Sequence, residues 1–357
     1  MPKKLSLKRT GKNIRYAQQI IATAMGFRAA RVLMAAHQTG VFEHLAKGPA
    51  SSLTLATELN LDPDLLERVL IACAAQDLLR PAAWSPPVTM SPATPSPVPP
   101  TPLTSNWELT DKARATLLRD SPVFQGDLIA HMAGVWDFWN DLEHLLRKHQ
   151  GASTFLADAT RKRDHRAFIL AMHNLASAGR AADLTLRVDL AGKKTLLDVG
   201  GGPGTYSMLL CERFPDLHAT LFDMPETIAI AREVVAAHGL SDRISFREGN
   251  WDEDDFGTGY DVILMSNILH GPPSGAPSKL AKAFAAMNPA GLLILQDFLL
   301  NPEKTGPLLP ALFNIMVGAF STPELITLTS SAGFTHPQSQ EMSPESGQTL
   351  ITAIKEA

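Results

Sequence analysis

The second half of the chain alternates short apolar segments with longer amphipathic ones. Short apolar runs predict β-strands, and the amphipathic runs between them predict helices. The predicted strands lie at 195–199, 218–222, 244–247, 260–266, 292–297 and 348–354. Because strands that alternate with helices are typical of βαβ units, we expect a doubly wound α/β sheet. Sheets of this kind bind cofactors at the carboxyl ends of their strands.

The first half of the chain predicts helices and two short strands. Residues 14–38 contain no proline and are rich in Ala, Ile, Leu and Met, which predicts one long helix with apolar residues on most sides. A helix this apolar is expected in a core or at a subunit contact. The later elements are helices at 51–59 and 62–75, strands at 78–80 and 106–109, and a helix capped by Thr110. This order is typical of a winged helix-turn-helix.

The wing between these two strands carries a proline-rich insertion at 81–105. Nine prolines lie between positions 81 and 102, and they predict a polyproline-like or disordered loop because proline fixes φ and removes a backbone donor. A winged helix can also indicate DNA binding. Its would-be recognition helix, however, carries Asp62, Asp64 and Glu67 against Arg68. Carboxylates repel phosphates, so we expect no nucleic acid partner.

Composition narrows the class of protein further. A chain of 357 residues is long enough for two domains, and its formal net charge of −4 gives no overall attraction for nucleic acid. The two cysteines, Cys73 and Cys211, predict neither a disulfide framework nor a metal site, and a reducing cytoplasmic location is expected. No apolar run reaches the ~18 residues of a membrane span, so no membrane partner is expected. Residues 1–13 read as a solvated basic tail, with an organelle transit peptide as the alternative.

The most informative motif is Leu-Leu-Asp-Val-Gly-Gly-Gly-Pro-Gly at 196–204. Asp198 belongs to an apolar strand, and the spaced glycines that follow it are Gly200, Gly202 and Gly204. Side chains at these positions would obstruct a tight turn or a ligand that approaches the backbone. A dinucleotide fingerprint needs a further glycine at the position of Thr205. The next strand leads to Asp223, where a ribose hydroxyl would bind.

This Asp-x-Gly-x-Gly-x-Gly pattern resembles motif I of class I S-adenosylmethionine (SAM) methyltransferases. With three other segments, it makes the chain resemble the small-molecule O-methyltransferases of the caffeate, hydroxyindole and polyketide type. Those segments are 31–46, Leu-Phe-Asp-Met-Pro-Glu-Thr-Ile at 221–228 and Asn-Ile-Leu-His at 267–270. The resemblance implies a Rossmann-like SAM-methyltransferase domain preceded by a helical, winged-helix dimerisation domain. The expected divisions are a basic tail at 1–13, a dimerisation domain at 14–122, a helical bridge at 123–190 and a catalytic domain at 191–357.

The resemblance also implies which residues bind SAM. Asp223 would accept hydrogen bonds from the ribose hydroxyls, and Met224 would pack on the adenine. Asn250 stands where the family has an acid, and its amide oxygen can still accept from the adenine amino group. Trp251 offers a face for the adenine ring, with ordinary core packing as the alternative. The full expected set is Asp198, Gly200, Gly202, Gly204, Asp223, Met224, Asn250, Trp251 and Ser266.

His270 falls where the resemblance places the general base, and Asp297 matches one of the family's two acids that orient it. Imidazole can accept the proton of a hydroxyl at neutral pH, which prepares the oxygen to attack the sulfonium methyl group. The acid after the base is replaced by Gly271, and the loop of the second acid is shortened to 319–322. These departures leave C-methylation, hydroxylation or decarboxylation open. A SAM-sensing, DNA-binding regulator is the alternative of another class.

The acceptor pocket is expected to combine aromatic, thioether and a few polar side chains. The expected lining is Trp136, Met172, His173, Phe313, Asn314, Met316 and Val317. Such side chains suit a flat, apolar acceptor with a few polar groups, and no metal is expected. Phenol, indole, polyketide and tetrapyrrole acceptors all fit this description. The expected partners are therefore a small aromatic molecule and a second copy of the chain.

Overall fold

The computed structural model describes residues 11–82, 106–148 and 164–356. The chain divides into two compact units, Met1–Ala133 and Gly134–Ala357. Most of the predicted basic tail, and the proline-rich insertion apart from Pro81 and Ala82, lie outside the described residues. In the described part, no helix is both long and apolar enough to cross a membrane.

The first unit contains helices around a small antiparallel sheet. Its helices are α1 Gly11–Met25, α2 Phe27–Gln38, α3 Val41–Leu45, α4 Ser52–Leu59, α5 Pro63–Ala74, α6 Asp111–Leu117 and α7 Gly126–Gly134, which ends at the boundary. The strands β1 Ala50–Ser51, β2 Leu79–Pro81 and β3 Asn106–Leu109 pair in the order β1-β3-β2. The predicted caps are confirmed, because Asp62 accepts a hydrogen bond from the Leu65 amide and Thr110 accepts one from the Ala113 amide.

Two predictions for this unit need correction. The long helix at 14–38 begins at Gly11 and is divided at Gly26, although Gly26 keeps right-handed helical torsions of −59° and −30°. Glu67 was counted among the surface acids of α5, but it is buried and accepts a hydrogen bond from the Trp107 indole nitrogen at 3.2 Å. The charge argument against DNA therefore rests on Asp62 and Asp64.

The second unit begins with a group of short helices. They are α8 Trp136–Asn140, α9 Leu142–Lys148, α10 His165–Leu175 and α11 Ala181–Arg187. Within the segment predicted as a helical bridge, a π-turn at Ala176–Arg180 separates α10 from α11. Gly179 has a φ of 115° there, which lies outside the helical region and turns the chain before Arg180.

The doubly wound sheet is confirmed. Its strands are β4 Thr195–Val199, β5 His218–Asp223, β6 Ile244–Glu248, β7 Tyr260–Ser266, β8 Met287–Asp297, β9 Thr335–Glu341 and β10 Thr349–Ile354. They lie in the order β6-β5-β4-β7-β8-β10-β9, in which β10 runs antiparallel to both β8 and β9 and the other described pairs of this sheet are parallel. The intervening helices are α12 Thr205–Arg213, α13 Pro225–Ala237, α14 Ala276–Ala286, α15 Leu308–Val317 and α16 Thr322–Ser331.

Two features of this sheet differ from the prediction. Strand β9 was not predicted, because its residues are mostly polar and exposed at the edge of the sheet, where no apolar alternation is required. Strand β8 begins five residues before the predicted start at Leu292. Its first part contains Asn288, Pro289 and Gly291, which single-sequence reasoning counts against a strand.

The core of this unit lies on both faces of the sheet. Neighbouring residues along β4 enter different clusters, since Leu196 packs with one and Leu197 with the other. Strands covered on both faces carry apolar residues at successive positions, so β4 reads as an apolar run that is interrupted by the buried Asp198. The carboxyl edge is the part of the sheet where polar side chains collect, and the candidate site lies there.

Candidate functional site

The loop after β4 has the backbone geometry that its glycines predict. Gly200, Gly202 and Gly204 have φ values of 68°, 54° and 82°, a region that favours glycine. A Cβ on Gly200 would lie 2.6 Å from Ile268, and one on Gly204 would lie 2.7 Å from Leu221. A Cβ on Gly202 would meet no described atom within 4 Å. Gly202 therefore leaves a cradle that a ligand can occupy.

Two carboxylates hold this loop. Asp223, at the end of β5, accepts a hydrogen bond from the Gly202 amide at 2.9 Å through Oδ2 and one from the Met224 amide at 2.8 Å through Oδ1. Asp198 is buried beneath the loop and accepts a hydrogen bond from the Ser207 hydroxyl at 2.7 Å. Burial raises the pKa of both carboxyls, and that of Asp198 reaches about 7. Asp198 thus supports the loop, whereas Asp223 retains lone pairs for a ligand.

Replacing Asp198 by Asn should remove a pH dependence of folding stability. The raised pKa means that between about pH 4 and pH 7 the folded state keeps a proton that the unfolded state has released. Stability should fall as the pH rises through this window, with each unit between the folded and unfolded pKa worth about 1.4 kcal/mol. We expect the free energy of unfolding in urea to fall more steeply for the wild type than for Asp198→Asn. Parallel pH profiles would contradict this assignment.

The predicted adenine-binding segment lies after β6. The Asn250 amide donates to Asp254 Oδ2 at 2.7 Å, and the Asn250 side-chain oxygen accepts from the Asp252 amide at 2.9 Å. One lone pair of this oxygen is therefore committed to its own turn, and the second is left for an amine. Trp251 is half-buried and packs against the core on one face of the sheet.

His270 and Asp297 meet at the carboxyl edge because they follow neighbouring parallel strands. His270 Nδ1 lies 2.9 Å from Asp297 Oδ1, and Asp297 also accepts from the amides of Leu269 and Phe298 at 3.1 and 2.8 Å. The carboxylate is buried and the imidazole is 22% exposed. A proton on Nδ1 for this contact leaves the lone pair on Nε2, which has no partner among the described residues.

Aromatic rings lie beside this histidine. The Phe313 ring centroid is 5.1 Å from that of His270 and 4.2 Å from that of Phe298. Of the other predicted acceptor residues, Asn314 is exposed on α15, while Met316 and Val317 are half-buried there. Trp136 lies on α8 and Met172 on α10, both half-buried. His173 is placed differently, because its Nδ1 lies 2.8 Å from the Thr205 hydroxyl, next to the glycine loop.

The replacement of the acid after the base by Gly271 and the shortening of the loop at 319–322 are sterically coupled. A Cβ on Gly271 would lie 2.9 Å from the Ala319 nitrogen and 2.9 Å from the Gly318 carbonyl carbon. The Phe320 amide donates to the His270 carbonyl at 3.0 Å, which fixes the shortened loop against the base. The backbone of that loop therefore occupies the space into which a side chain at 271 would extend.

A buried polar network lies below the site and was not predicted. The Tyr206 hydroxyl accepts from Gln296 at 3.0 Å and is also hydrogen-bonded to Ser266. Asn267 donates to Ser266 at 2.9 Å and accepts from Gln348 at 2.7 Å. Among the described residues, the Oε1 atoms of both glutamines lack a partner, so water or a ligand donor can satisfy them. These residues lie far apart in the sequence, so no local pattern predicts the network.

Arg180 and Phe298 were also missed by the sequence analysis. The Arg180 guanidinium lies over the Phe298 ring, 5.2 Å from its centroid. Phe298 follows Asp297 directly, so its position beside a predicted acid was an available signal. The described residues contain no cluster of three or more His, Cys, Asp or Glu side chains that could hold a metal ion.

Comparisons with known proteins identify the family. Residues 133–335 match the model of the O-methyltransferase domain, and residues 21–88 match that of the O-methyltransferase dimerisation domain. The chain is 28% identical over 314 residues to 3-hydroxy-5-methyl-1-naphthoate 3-O-methyltransferase of Streptomyces sahachiroi, which covers 83% of this chain and 82% of that protein. It is 32% identical over 133 residues to L-tyrosine C(3)-methyltransferase of Streptomyces lavendulae, covering 37% and 36% of the two chains.

A solved structure has the same fold over nearly the whole chain. The crystal structure of human N-acetylserotonin methyltransferase in complex with SAM superposes with a TM-score of 0.79 at 23% sequence identity, covering 99% of this chain and 100% of that chain. The glycine loop and Asp223 described above fit the cofactor of that fold. Because the catalytic-domain model matches more than half of the residues, the chain belongs to the SAM-dependent O-methyltransferase family.

Proposed function

We propose that this enzyme methylates a hydroxyl group of a small aromatic acceptor, with His270 as the general base and Asp297 as its positioning residue. The observation that carries the proposal is the 2.9 Å contact between His270 Nδ1 and Asp297 Oδ1 at the carboxyl edge of the sheet. This contact orients the imidazole and leaves Nε2 available beside Phe313. The names of the S. sahachiroi and human relatives support an aromatic acceptor.

The cofactor-binding half of the proposal rests on the loop after β4. Asp223 would hold the ribose hydroxyls, and the cradle at Gly202 would admit the methionine part close to the backbone. Asn250, Met224 and Trp251 would surround the adenine. SAM, when bound, supplies an electrophilic methyl group on a positively charged sulfur. Ser266 is occupied by Tyr206 and Asn267, so its contribution would be to position the network below the site.

The base acts on the acceptor hydroxyl. Nε2 of His270 would take the proton as the oxygen attacks the methyl group, and the imidazolium would be stabilised by the buried Asp297 carboxylate. The absence of an acid after the base does not require a different reaction, because the backbone of Gly318 and Ala319 leaves no room for a side chain at Gly271. O-methylation therefore remains the function that the site supports best.

A direct transfer assay tests this function. The purified enzyme should transfer a labelled methyl group from SAM to the hydroxyl of at least one member of a panel of phenols, hydroxyindoles and hydroxynaphthalenes. Mass spectrometry of the product should locate the methyl group on oxygen. A product methylated only on carbon or nitrogen would overturn the proposal while leaving SAM binding intact.

We also propose that the dimerisation domain pairs two chains through α1. Apolar side chains of this helix and of the start of α2 are exposed in the single chain, and they include Ile14, Ile20, Ile21, Met25 and Phe27. A contiguous exposed apolar surface indicates an interface between subunits.

The cysteines Cys73 and Cys211 are buried and unpaired, which supports the expected cytoplasmic location.

Light scattering should therefore give twice the chain mass of 38.6 kDa at micromolar concentration. Replacing both Ile20 and Ile21 by Glu should shift the particle to the monomer, because each charge would have to be desolvated in the interface. Leu186→Glu is the matched control, since Leu186 is also exposed but lies in the second unit. A wild-type monomer, or a double variant that remains dimeric, would contradict this interface.

A further inference from the structure

Arg180 carries a positive charge for which the described residues supply no counter-ion. Across 11–82, 106–148 and 164–356, its guanidinium makes no ion pair and no side-chain hydrogen bond. Burial lowers the pKa of Arg180, which means that its surroundings disfavour the charge. The neighbouring Arg187 differs, because it pairs with Asp183 at 2.7 Å. A partly buried cation without a partner is costly, so an anion from outside the chain would complete this site.

The backbone kink before α11 precedes this guanidinium. Gly179, with a φ of 115°, lies inside the π-turn, and Arg180 is the last residue of that turn. The guanidinium lies over the Phe298 ring, with 5.2 Å between its central carbon and the ring centroid. A cation over an aromatic face is attracted by the ring quadrupole, and the N–H groups of the guanidinium remain able to donate to an anion. A carboxylate can accept two of these N–H groups at once.

Aromatic rings connect Arg180 with the base. Phe298 contacts Phe313 at 4.2 Å between centroids, and Phe313 contacts His270 at 5.1 Å. These two phenylalanines therefore separate the cation from the imidazole. An acceptor that lies along these rings can present a hydroxyl to His270 and an anionic group to Arg180. Because two phenylalanine rings intervene, such an acceptor would carry its hydroxyl and its anionic group at opposite ends of a flat aromatic system.

The order of the strands places Arg180 on the acceptor side. The glycine loop follows β4, and Asp223 follows β5 on one side of it. Phe298 follows β8, which lies on the other side of β4, beyond β7. The cation is thus associated with the strand ends that carry His270 and Asp297, and not with those that hold the ribose.

We propose that Arg180 binds a carboxylate of the acceptor, so that the substrate class is an aromatic hydroxy acid. The proposal rests on the proposed O-methyltransferase function of the same site and adds the group that determines specificity. A competing source of the same chemistry is the methionine carboxylate of the cofactor, since Tyr206 on α12 lies close enough to Arg180 to interact electrostatically with it. The experiment below separates the two sources.

The test compares two isosteric probes, 2-naphthoate and its neutral analogue 2-naphthamide. Each is titrated calorimetrically into the full-length protein saturated with S-adenosylhomocysteine. The wild type should bind naphthoate at least about tenfold more tightly than naphthamide, because charge-assisted hydrogen bonds are the stronger ones. Arg180→Met should abolish this preference and leave naphthamide affinity unchanged. Arg180→Lys keeps the charge but loses the bidentate geometry, so it should retain part of the preference.

A matched control comes from a second stacked arginine. Arg232 lies over the Phe246 ring at 4.5 Å, but its side chain is exposed. Arg232→Met should leave the affinities for both probes unchanged. Thermal unfolding of Arg180→Met establishes that the variant is folded, and Arg180→Lys provides the comparison if the methionine variant is not.

The remaining outcomes separate the competing explanations. Equal wild-type affinities for naphthoate and naphthamide would overturn the proposal. A tenfold loss of S-adenosylhomocysteine affinity in Arg180→Met, with the naphthoate preference intact, would assign the guanidinium to the cofactor and overturn it as well. In a parallel assay, 6-hydroxy-2-naphthoate, whose hydroxyl and carboxylate lie at opposite ends of the ring system, should be methylated more efficiently than 6-hydroxy-2-naphthamide. Absence of methyl transfer together with a clear naphthoate preference would indicate that the proposed function fails while the carboxylate site exists.

Discussion

Replacing His270 by Ala should lower kcat by roughly 10²–10⁴ while the affinity for SAM barely changes. The imidazole lies against Phe313 and Asp297, whereas the proposed ribose site is at Asp223, so we expect its loss to remove the proposed proton acceptor without touching the nucleoside. The pH–rate profile should lose its acidic limb, because Gly271 offers no carboxylate that could replace the base. Steady-state kinetics over pH 5–9 with any accepted substrate provide the measurement.

The controls for this prediction separate catalysis from folding. His336→Ala removes an exposed histidine from β9 and should leave kcat unchanged. Asp297→Asn should lower kcat and alter the pH profile, because the neutral amide no longer stabilises an imidazolium and its NH₂ group can favour the wrong imidazole tautomer. Nearly full activity of His270→Ala would mean that proximity to the electrophilic methyl group supplies most of the rate and that His270 does not act as the general base.

Replacing Asp223 by Ala should weaken SAM binding by at least tenfold. Hydrogen bonds from ribose hydroxyls to a carboxylate are charge-assisted, and each contributes on the order of 1.5–3 kcal/mol. The variant also loses the acceptor of the Gly202 amide, so the cradle itself loosens. Calorimetric titration with SAM measures the effect, and circular dichroism establishes that the fold is retained.

A nearby acid provides the matched control for Asp223. Glu226 is exposed in the first turn of α13, so Glu226→Ala removes a negative charge from the same helix end without touching the loop. It should leave SAM affinity unchanged. Asp223→Asn keeps one acceptor oxygen and should give an intermediate affinity. Unchanged binding in Asp223→Ala would remove this strand end from the cofactor site.

Several parts of the site could be predicted because their determinants are local. The glycines at 200, 202 and 204 have positive φ, a requirement of each residue's own backbone. The apolar runs of β4, β5 and β7 predict strands, and the polar residue that follows such a run lies at a carboxyl edge. The pairing of His270 with Asp297 was implied by family resemblance, and the adjacency of β7 and β8 explains it.

Other parts could not be predicted, because they depend on contacts between distant segments. The edge strand β9 has no apolar pattern, and the break before Arg180 involves only Ala178 and Gly179 within an otherwise helical run. The resemblance singled out Asn250, but it did not show that the side-chain oxygen accepts a hydrogen bond from the Asp252 amide. Glu67 looked like a surface charge until Trp107 was found to donate to it.

The sequence by itself determined the doubly wound domain, the glycine loop with its positive torsions and the residue proposed as the base, since strand periodicity, glycine torsions and a family motif are properties of short segments. Only the tertiary structure shows that the backbone at Gly318 occupies the space into which a side chain at 271 would extend. It also shows that Arg180 contacts Phe298, which lies 118 residues later in the chain. The physical reason is that steric exclusion and the pairing of charges depend on distances in space. Those distances are set only when the strand order brings β4, β7 and β8 side by side.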